Sequence, residues 1–297
     1  MTGRRPYRRR VRSPSRASAG RRRRHTWSLT RRAALVLAAL TLALPWSAPA
    51  HAIDVVGDDG SDIYTGTGGV VFPARDWRGD ETGRSDAAGC DGCTWSITAF
   101  CTRAEFDLGS CTASHLDCPP DRVRVRVWLA QPGEARRLVG AACIGGTPPP
   151  TRTEIGAAVR ASASQQLPPL AAGVQPADGA LIGVPAVFRT GQPADGIVGA
   201  DLSVLGLAVT LDARPRWWWS WGDGSGEWTS APGGRWPDTS LAHTYHASGR
   251  HSAAVTAVWR GSYVVEGLGP YAVPGDPLTQ DAAVAVDVRE ARALLVG

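Results

Sequence analysis

The sequence predicts a mainly β protein: a disulfide-rich β half, a short connecting helix, then a second β-rich half. Three observations carry that prediction. Several runs alternate apolar and polar residues with a period of two: Val123, Val125, Val127 and Leu129; Leu205, Leu207, Val209 and Leu211; Trp217, Trp219 and Trp221; and His251, Ala253, Val255, Ala257 and Trp259. Such alternation buries one face of a strand and leaves the other to solvent. The 297 residues include 35 Gly and 22 Pro, a turn-rich composition. All six cysteines fall in the first half, where an even count in an exported chain predicts disulfides.

The first element is a leader. Residues 1–52 hold 13 arginines and no acid, and an apolar run from Ala33 to Leu44 precedes Pro45 and the small-residue site Ala50-His51-Ala52. This pattern predicts a signal peptide cleaved after Ala52. The apolar run is 12 residues long, short of the roughly 20 needed to span a bilayer, so no permanent membrane anchor is expected. Arg31-Arg32 resembles a twin-arginine signal, but Ala34 and Val36 leave the export route open. Residues 53–297 carry 19 arginines against 27 acids. An acidic body excludes nucleic acid as the expected partner, because phosphate neutralisation needs a basic footprint. A secreted or extracellular location follows.

Residues 53–147 form the predicted Cys-rich β domain, with Cys90, Cys93, Cys101, Cys111, Cys118 and Cys143 as its disulfide residues. Cys90-Asp91-Gly92-Cys93 is a C-x-x-C, but the remaining spacings give no second zinc-binding pair. A redox dithiol would need a strand before it and a helix after, whereas Gly89, Gly92 and Thr94-Trp95-Ser96-Ile97 predict a turn entering a strand. Structural disulfides of unassigned connectivity are therefore expected, and no metal or other cofactor. In residues 121–129, Arg122, Arg124 and Arg126 occupy the face opposite the valines. This ladder either pairs with acids on a neighbouring strand, the expected outcome, or receives an anionic polymer. Asp58, Asp59 and Asp62 could offer oxygens to calcium but miss the EF-hand spacing, so an acidic N-terminus is expected instead.

Residues 148–172 are the predicted Pro-rich connector. After Pro148-Pro149-Pro150, the capping box Thr151-Arg152-Thr153-Glu154 and the stripe Ile155, Ala158 and Val159 predict a short helix over 152–164. Beyond it, Ala180 to Phe188 is a strand candidate that Pro185 consigns to a sheet edge.

Residues 173–297 form the second β half. Trp219-Ser220-Trp221-Gly222-Asp223-Gly224-Ser225, His243-Thr244-Tyr245 and Gly249 ahead of an alternating strand together resemble the PKD (polycystic-kidney-disease type) domain over about 173–288. The resemblance implies an immunoglobulin-like β-sandwich, extracellular and not itself catalytic, serving adhesion, spacing or substrate presentation. It departs at Ser220 and His251 and in an insertion over about 260–280. The layout, with its Glu-Ala-Arg-x-Leu-Leu-Val tail, also resembles exported proteins of high-GC Gram-positive bacteria. From the residues themselves, Gly222-Asp223-Gly224 suits a tight turn, and Tyr245 suits a tyrosine corner.

By parity Trp219 and Trp221 point to the core and Trp218 outward; Trp218, Trp228 and Trp236 are the candidate ligand-binding residues, flat indoles that stack on sugar rings. The expected partners are an extracellular protein or a cell-wall polysaccharide. No catalytic residue is assigned. The alternative is an exported carbohydrate-active hydrolase, with Glu227 and Asp238 as its carboxylate pair, and a purely structural spacer is the third possibility. His243 and His246, three apart on a strand, face opposite ways and make a poor metal pair.

Overall fold

The structure is a computed structural model and describes residues 62–100 and 117–291. The leader, Asp58, Asp59, Cys101 and Cys111 lie outside those residues. The described chain is mainly β with two helices. Among the described residues no helix is long and apolar enough to cross a membrane.

The first half builds β1 (Asp62–Thr67), β2 (Trp77–Arg78), helix α1 (Glu81–Gly89), β3 (Thr94–Ala99), β4 (Val123–Ala130) and β5 (Arg137–Ile144). The strands form one antiparallel sheet in the order β1-β3-β4-β5-β2. Its alternation works as read for Val125, Val127 and Leu129, which are buried, whereas Val123 at the strand start is 46% exposed. Trp95, Ile97, Phe72 and Trp77 complete this core. Helix α1 is capped by Asp80, whose Oδ1 accepts from Gly83 N at 2.7 Å. Cys90 and Cys93 close on each other in the turn from α1 to β3, and Cys118 is joined to Cys143 on β5. The C-x-x-C therefore follows a helix and enters a strand, the reverse of the order a thioredoxin-like dithiol requires. Both disulfides fit an extracellular setting.

The capping box holds. Thr151 Oγ1 accepts from Glu154 N, and Glu154 Oε2 accepts from Thr151 N at 2.8 Å, starting α2 (Arg152–Gln166). The helix runs past the expected end because Ala163 continues the stripe of Ile155 and Val159. That stripe is fully buried. It packs with Val71 and Ala88 from the first half and with Val204, Leu207, Val209, Leu211, Tyr263, Val265 and Leu268 from the second. The connector thus forms part of a core that both halves share. Buried Arg84 adds a polar tie, donating to Phe72 O and to Glu266 O.

The second half builds β6 (Gly173–Gln175), β7 (Ala180–Leu181), β8 (Pro185–Arg189), β9 (Ile197–Val204), β10 (Leu207–Ser220), β11 (Gly226–Thr229), β12 (Ala242–Thr244), β13 (Gly249–Val265), β14 (Leu268–Ala272) and β15 (Leu278–Arg289). One seven-stranded sheet runs along the path β11-β10-β13-β15-β7, with β9 pairing β10 and β14 pairing β13 off that path; β12-β8-β6 make a separate three-stranded sheet. One core cluster joins Trp217, Trp219, Trp221, Val255 and Trp259 with Val174, Phe188, Leu241 and Tyr245.

Further details differ from the sequence reading. The strand expected over 180–188 is two strands, because the chain leaves β15 at β7 and enters the other sheet at β8. Pro185 is not at an edge: β8 is the central strand, and Pro185 is tolerated as its first residue. Leu205 is not on a strand face. It sits at φ 51° beside Gly206 at φ 77°, in a two-residue turn joining β9 to β10, and such hairpins need positive φ at both positions. The runs at 207–211 and 217–221 belong to a single strand, since Pro215 falls between the end of the β9 pairing at Ala213 and the start of the β11 pairing at Trp217. The insertion at 260–280 is the matching extension of β13 plus the hairpin strand β14.

Because Ile155 is enclosed by both halves, Ile155→Ala is expected to cost about 3 kcal/mol, against about 1 kcal/mol for Thr151→Ala at the cap. Guanidinium unfolding followed by tryptophan fluorescence measures both. A cost below about 0.5 kcal/mol for Ile155→Ala, the value of a solvent-facing helix position, would contradict the shared core.

Candidate functional site

At the β10–β11 end of the seven-stranded sheet, two positive-φ glycines shape the turn. Gly222 has φ 79° and Gly224 φ 93°. Between them Asp223 Oδ1 accepts from Ser225 N at 2.9 Å and from Ser225 Oγ at 2.6 Å, and Trp221 N donates to Ser225 O at 3.0 Å. The other Asp223 oxygen accepts from His243 Nε2 at 2.7 Å. The His243 ring stacks on Trp221, with centroids 4.7 Å apart and planes within 5°, and meets Tyr245 edge-on. Tyr245 OH donates to Trp221 O at 3.1 Å. His251 packs on Tyr245 and lies 3.3 Å from Gly222 O through Nδ1. Residues twenty or more positions apart thus close into one clasp between β10, β12 and β13.

Electrostatics follow from this packing. Partial burial pushes Asp223 upward, but the Ser225 hydroxyl and His243, with the Ser225 amide, outweigh it and hold the carboxyl below the usual carboxylate range. Burial, reinforced by the Asp223 charge, pushes the Tyr245 phenol up to about 12. The clasp residues are each occupied with one another, which suits a structural role.

The outward face of the same hairpin differs. Trp218 and Trp228 are directly opposite across β10 and β11, 38% and 49% exposed, with centroids 5.5 Å apart and planes tilted by 53°. Gly226 makes room for this, since a Cβ there would lie 2.9 Å from the Trp218 ring. The Arg216 guanidinium lies 5.5 Å over the Trp228 ring. Trp236 is 70% exposed but stands apart, in the loop between β11 and β12, where its backbone N donates to Gln175 Oε1 of β6. Among the described residues no ring contact links it to the other two.

The remaining candidates are placed as follows. Glu227 lies on β11 opposite Trp219. Asp238 is in the β11–β12 loop, where Ser240 holds its carboxyl below the usual range. Asp62 pairs with Arg136. Arg122 pairs with Asp76 and Arg124 with Asp117, while Arg124 and Arg126 both lie over the Phe100 ring. The arginine ladder of β4 is thus engaged from within the protein. Among the described residues no three His, Cys, Asp or Glu side chains converge as a metal-ligating group. A cleft of about 200 Å³ between α2, β10, β13 and the β14–β15 loop is lined mainly by apolar groups, and its Arg160 is already bonded to Pro274 O and Asp276 O. Arg214, Arg216 and Arg260, which extend the face of the indole pair along β10 and β13, were not singled out by sequence reasoning. The alternation Arg214-x-Arg216-x-Trp218 was the signal that places two of them on its face.

Two predictions follow from the clasp. A Cβ at Gly222 would lie 2.6 Å from Ser252 O of β13, whereas at Gly224 it would meet open space. Gly222→Ala is therefore expected to cost about 3 kcal/mol and Gly224→Ala about 1 kcal/mol, the backbone strain alone, in denaturant titrations; equal costs would contradict the close approach. Asp223 binds a proton more readily in the unfolded chain. Its contribution is complete above about pH 4 and drains away as pH falls below that. Thermal midpoints from neutral to acid pH should fall more steeply for the parent than for Asp223→Asn, which starts lower; parallel curves would show that the carboxylate contributes nothing.

A scan against protein-family models finds no match to this chain, and a search of curated proteins finds no significant one.

Proposed function

We propose that the chain is an exported, non-catalytic binding protein of the bacterial cell envelope or its surroundings. In this reading its second half is an immunoglobulin-like sandwich of the PKD type, and its working surface is the Trp218–Trp228 pair, which contacts glycan. The carrying observation is that pair: two exposed indoles held side by side on the outer face of a sheet whose inner face buries Trp217 and Trp219. Flat apolar surface that a fold leaves exposed in a fixed place is characteristic of a contact site. The sandwich reading is supported by the core cluster that residues of the seven-stranded and three-stranded sheets share, and by the convergence of the Gly-Asp-Gly and His-x-Tyr elements on one clasp. The disulfides support export.

The test is a pull-down of the purified, oxidised full chain on intact bacterial cell walls and on a panel of insoluble polysaccharides. The parent should be retained and Trp218→Ala/Trp228→Ala should be lost, with near-ultraviolet circular dichroism unchanged. Trp236→Ala, being separate from the pair, should behave as the parent does. A parent that binds nothing in the panel, or binding indifferent to both indoles, would overturn the glycan reading and leave a protein partner or a spacer.

A further inference from the structure

Two outward sheet faces of this protein carry arginines, and they are treated differently. In the first sheet, Arg122 just before β4 and Arg124 on it have carboxylate partners, and at the other end of the β4–β5 pair so do Arg136 and Arg137, with Asp62 and Asp86 at 2.8 Å. On the face that carries the indole pair, Arg214 of β10 stands directly opposite Arg260 of β13. All of Arg214, Arg216 and Arg260 are exposed. None has a carboxylate within ion-pair distance among the described residues. Like charges placed opposite one another across a sheet work against folding, so the fold gains nothing from this pair.

Acids do lie on the same face, but they are engaged elsewhere. Asp212 accepts from Gly199 N at 2.8 Å, Asp281 from Thr256 Oγ1 and Asp201 from Thr210 Oγ1. Arg216 has the Trp228 ring as its neighbour, which orients its guanidinium without neutralising it. The arginines and the indoles form one continuous surface. Arg214, Arg216 and Trp218 alternate along β10, Arg260 flanks them on β13 and Trp228 on β11. From Arg214 to Trp218 is about 13 Å at the ordinary strand rise, a span suited to several linked units of a polymer.

We infer that this surface binds an acidic polysaccharide whose pyranose rings carry carboxylates, a uronic-acid chain, with its rings on Trp218 and Trp228 and its carboxylates on Arg214, Arg216 and Arg260. The planar guanidinium fork matches a carboxylate in two-point contact. The indoles require a ring to stack on, which a ringless polyol phosphate lacks. The inference rests on the glycan reading above and narrows it to a charge class.

Affinity electrophoresis of the full oxidised chain through gels containing polygalacturonate, its methyl-esterified form or a neutral glucan tests it. Methyl esterification removes the charge and keeps the rings. The parent should be retarded by polygalacturonate, progressively less as salt rises, and by the esterified polymer at least about tenfold more weakly, as loss of charge-assisted hydrogen bonds predicts. Arg214→Gln/Arg216→Gln/Arg260→Gln should lose about the same factor on polygalacturonate while keeping whatever weak retardation the esterified form gives. Trp218→Ala/Trp228→Ala should lose both. Equal retardation by the charged and esterified polymers, or a triple arginine variant that matches the parent, overturns the acidic preference but leaves glycan binding standing. No retardation by any polymer overturns both readings.

Discussion

One uninterrupted register, β10 against β13 from Val209↔Val265 to Ser220↔Ala254, is the constraint on which the second half of the protein depends. Side chains alternate along both strands, so this single register decides what lies inside and outside over the full length. The inner face is used twice. Toward one end Leu207, Val209, Leu211, Tyr263 and Val265 pack on α2 and the first half; toward the other Trp217, Trp219, Ala253, Val255 and Trp259 pack on the three-stranded sheet. A slip of one residue would expose both cores together and bury three arginines. The ladder is closed at both ends. Leu205-Gly206 and Glu266-Gly267 form two-residue turns at one end, where Glu266 Oε1 accepts from Ala208 N, and the Asp223 clasp fixes the other.

The clasp and the exposed indoles belong to one device. Asp223, His243 and Tyr245 bind the β10–β11 turn to β12, and Tyr245 fastens the carbonyl of Trp221 three residues from Trp218. β11 is a four-residue strand at the sheet edge that pairs with β10; tied from beneath at its turn, it presents Trp228 beside Trp218 in one geometry. Fixing the rings before a ligand arrives reduces the ordering cost of binding. The motif residues therefore serve the surface without touching what it touches.

Much of this was legible in the sequence where local pattern and tertiary demand agree. Alternation placed Trp217, Trp219 and Trp221 inside and Trp218 outside, and the capping box at Thr151 located α2. The reading broke where a residue answers to something distant. Leu205 looks like a strand residue, but the turn it occupies is set by the pairing of β9 with β10. Pro185 reads as an edge marker, yet it is the first residue of a central strand. Helix α1 was invisible because its buried residues are Gly83, Arg84, Ala87 and Ala88, a face with little apolar contrast. The stripe of α2 continues through Ala163, a small residue with little apolar contrast to its neighbours. The two arginine faces are the sharpest case. Arg122-x-Arg124-x-Arg126 and Arg214-x-Arg216 are the same pattern, and only the fold shows that acids meet the first and are held away from the second.

Hydroxyl-radical footprinting of the native full chain, read at single tryptophans by mass spectrometry, tests the register most directly. Oxidation should be rapid at Trp218 and Trp228 and nearly absent at Trp217, Trp219 and Trp221, which are 0–2% exposed. Oxidation of Trp217 and Trp219 with protection of Trp218 would mean the opposite parity, and with it the loss of both the packed inner face and the outer binding surface.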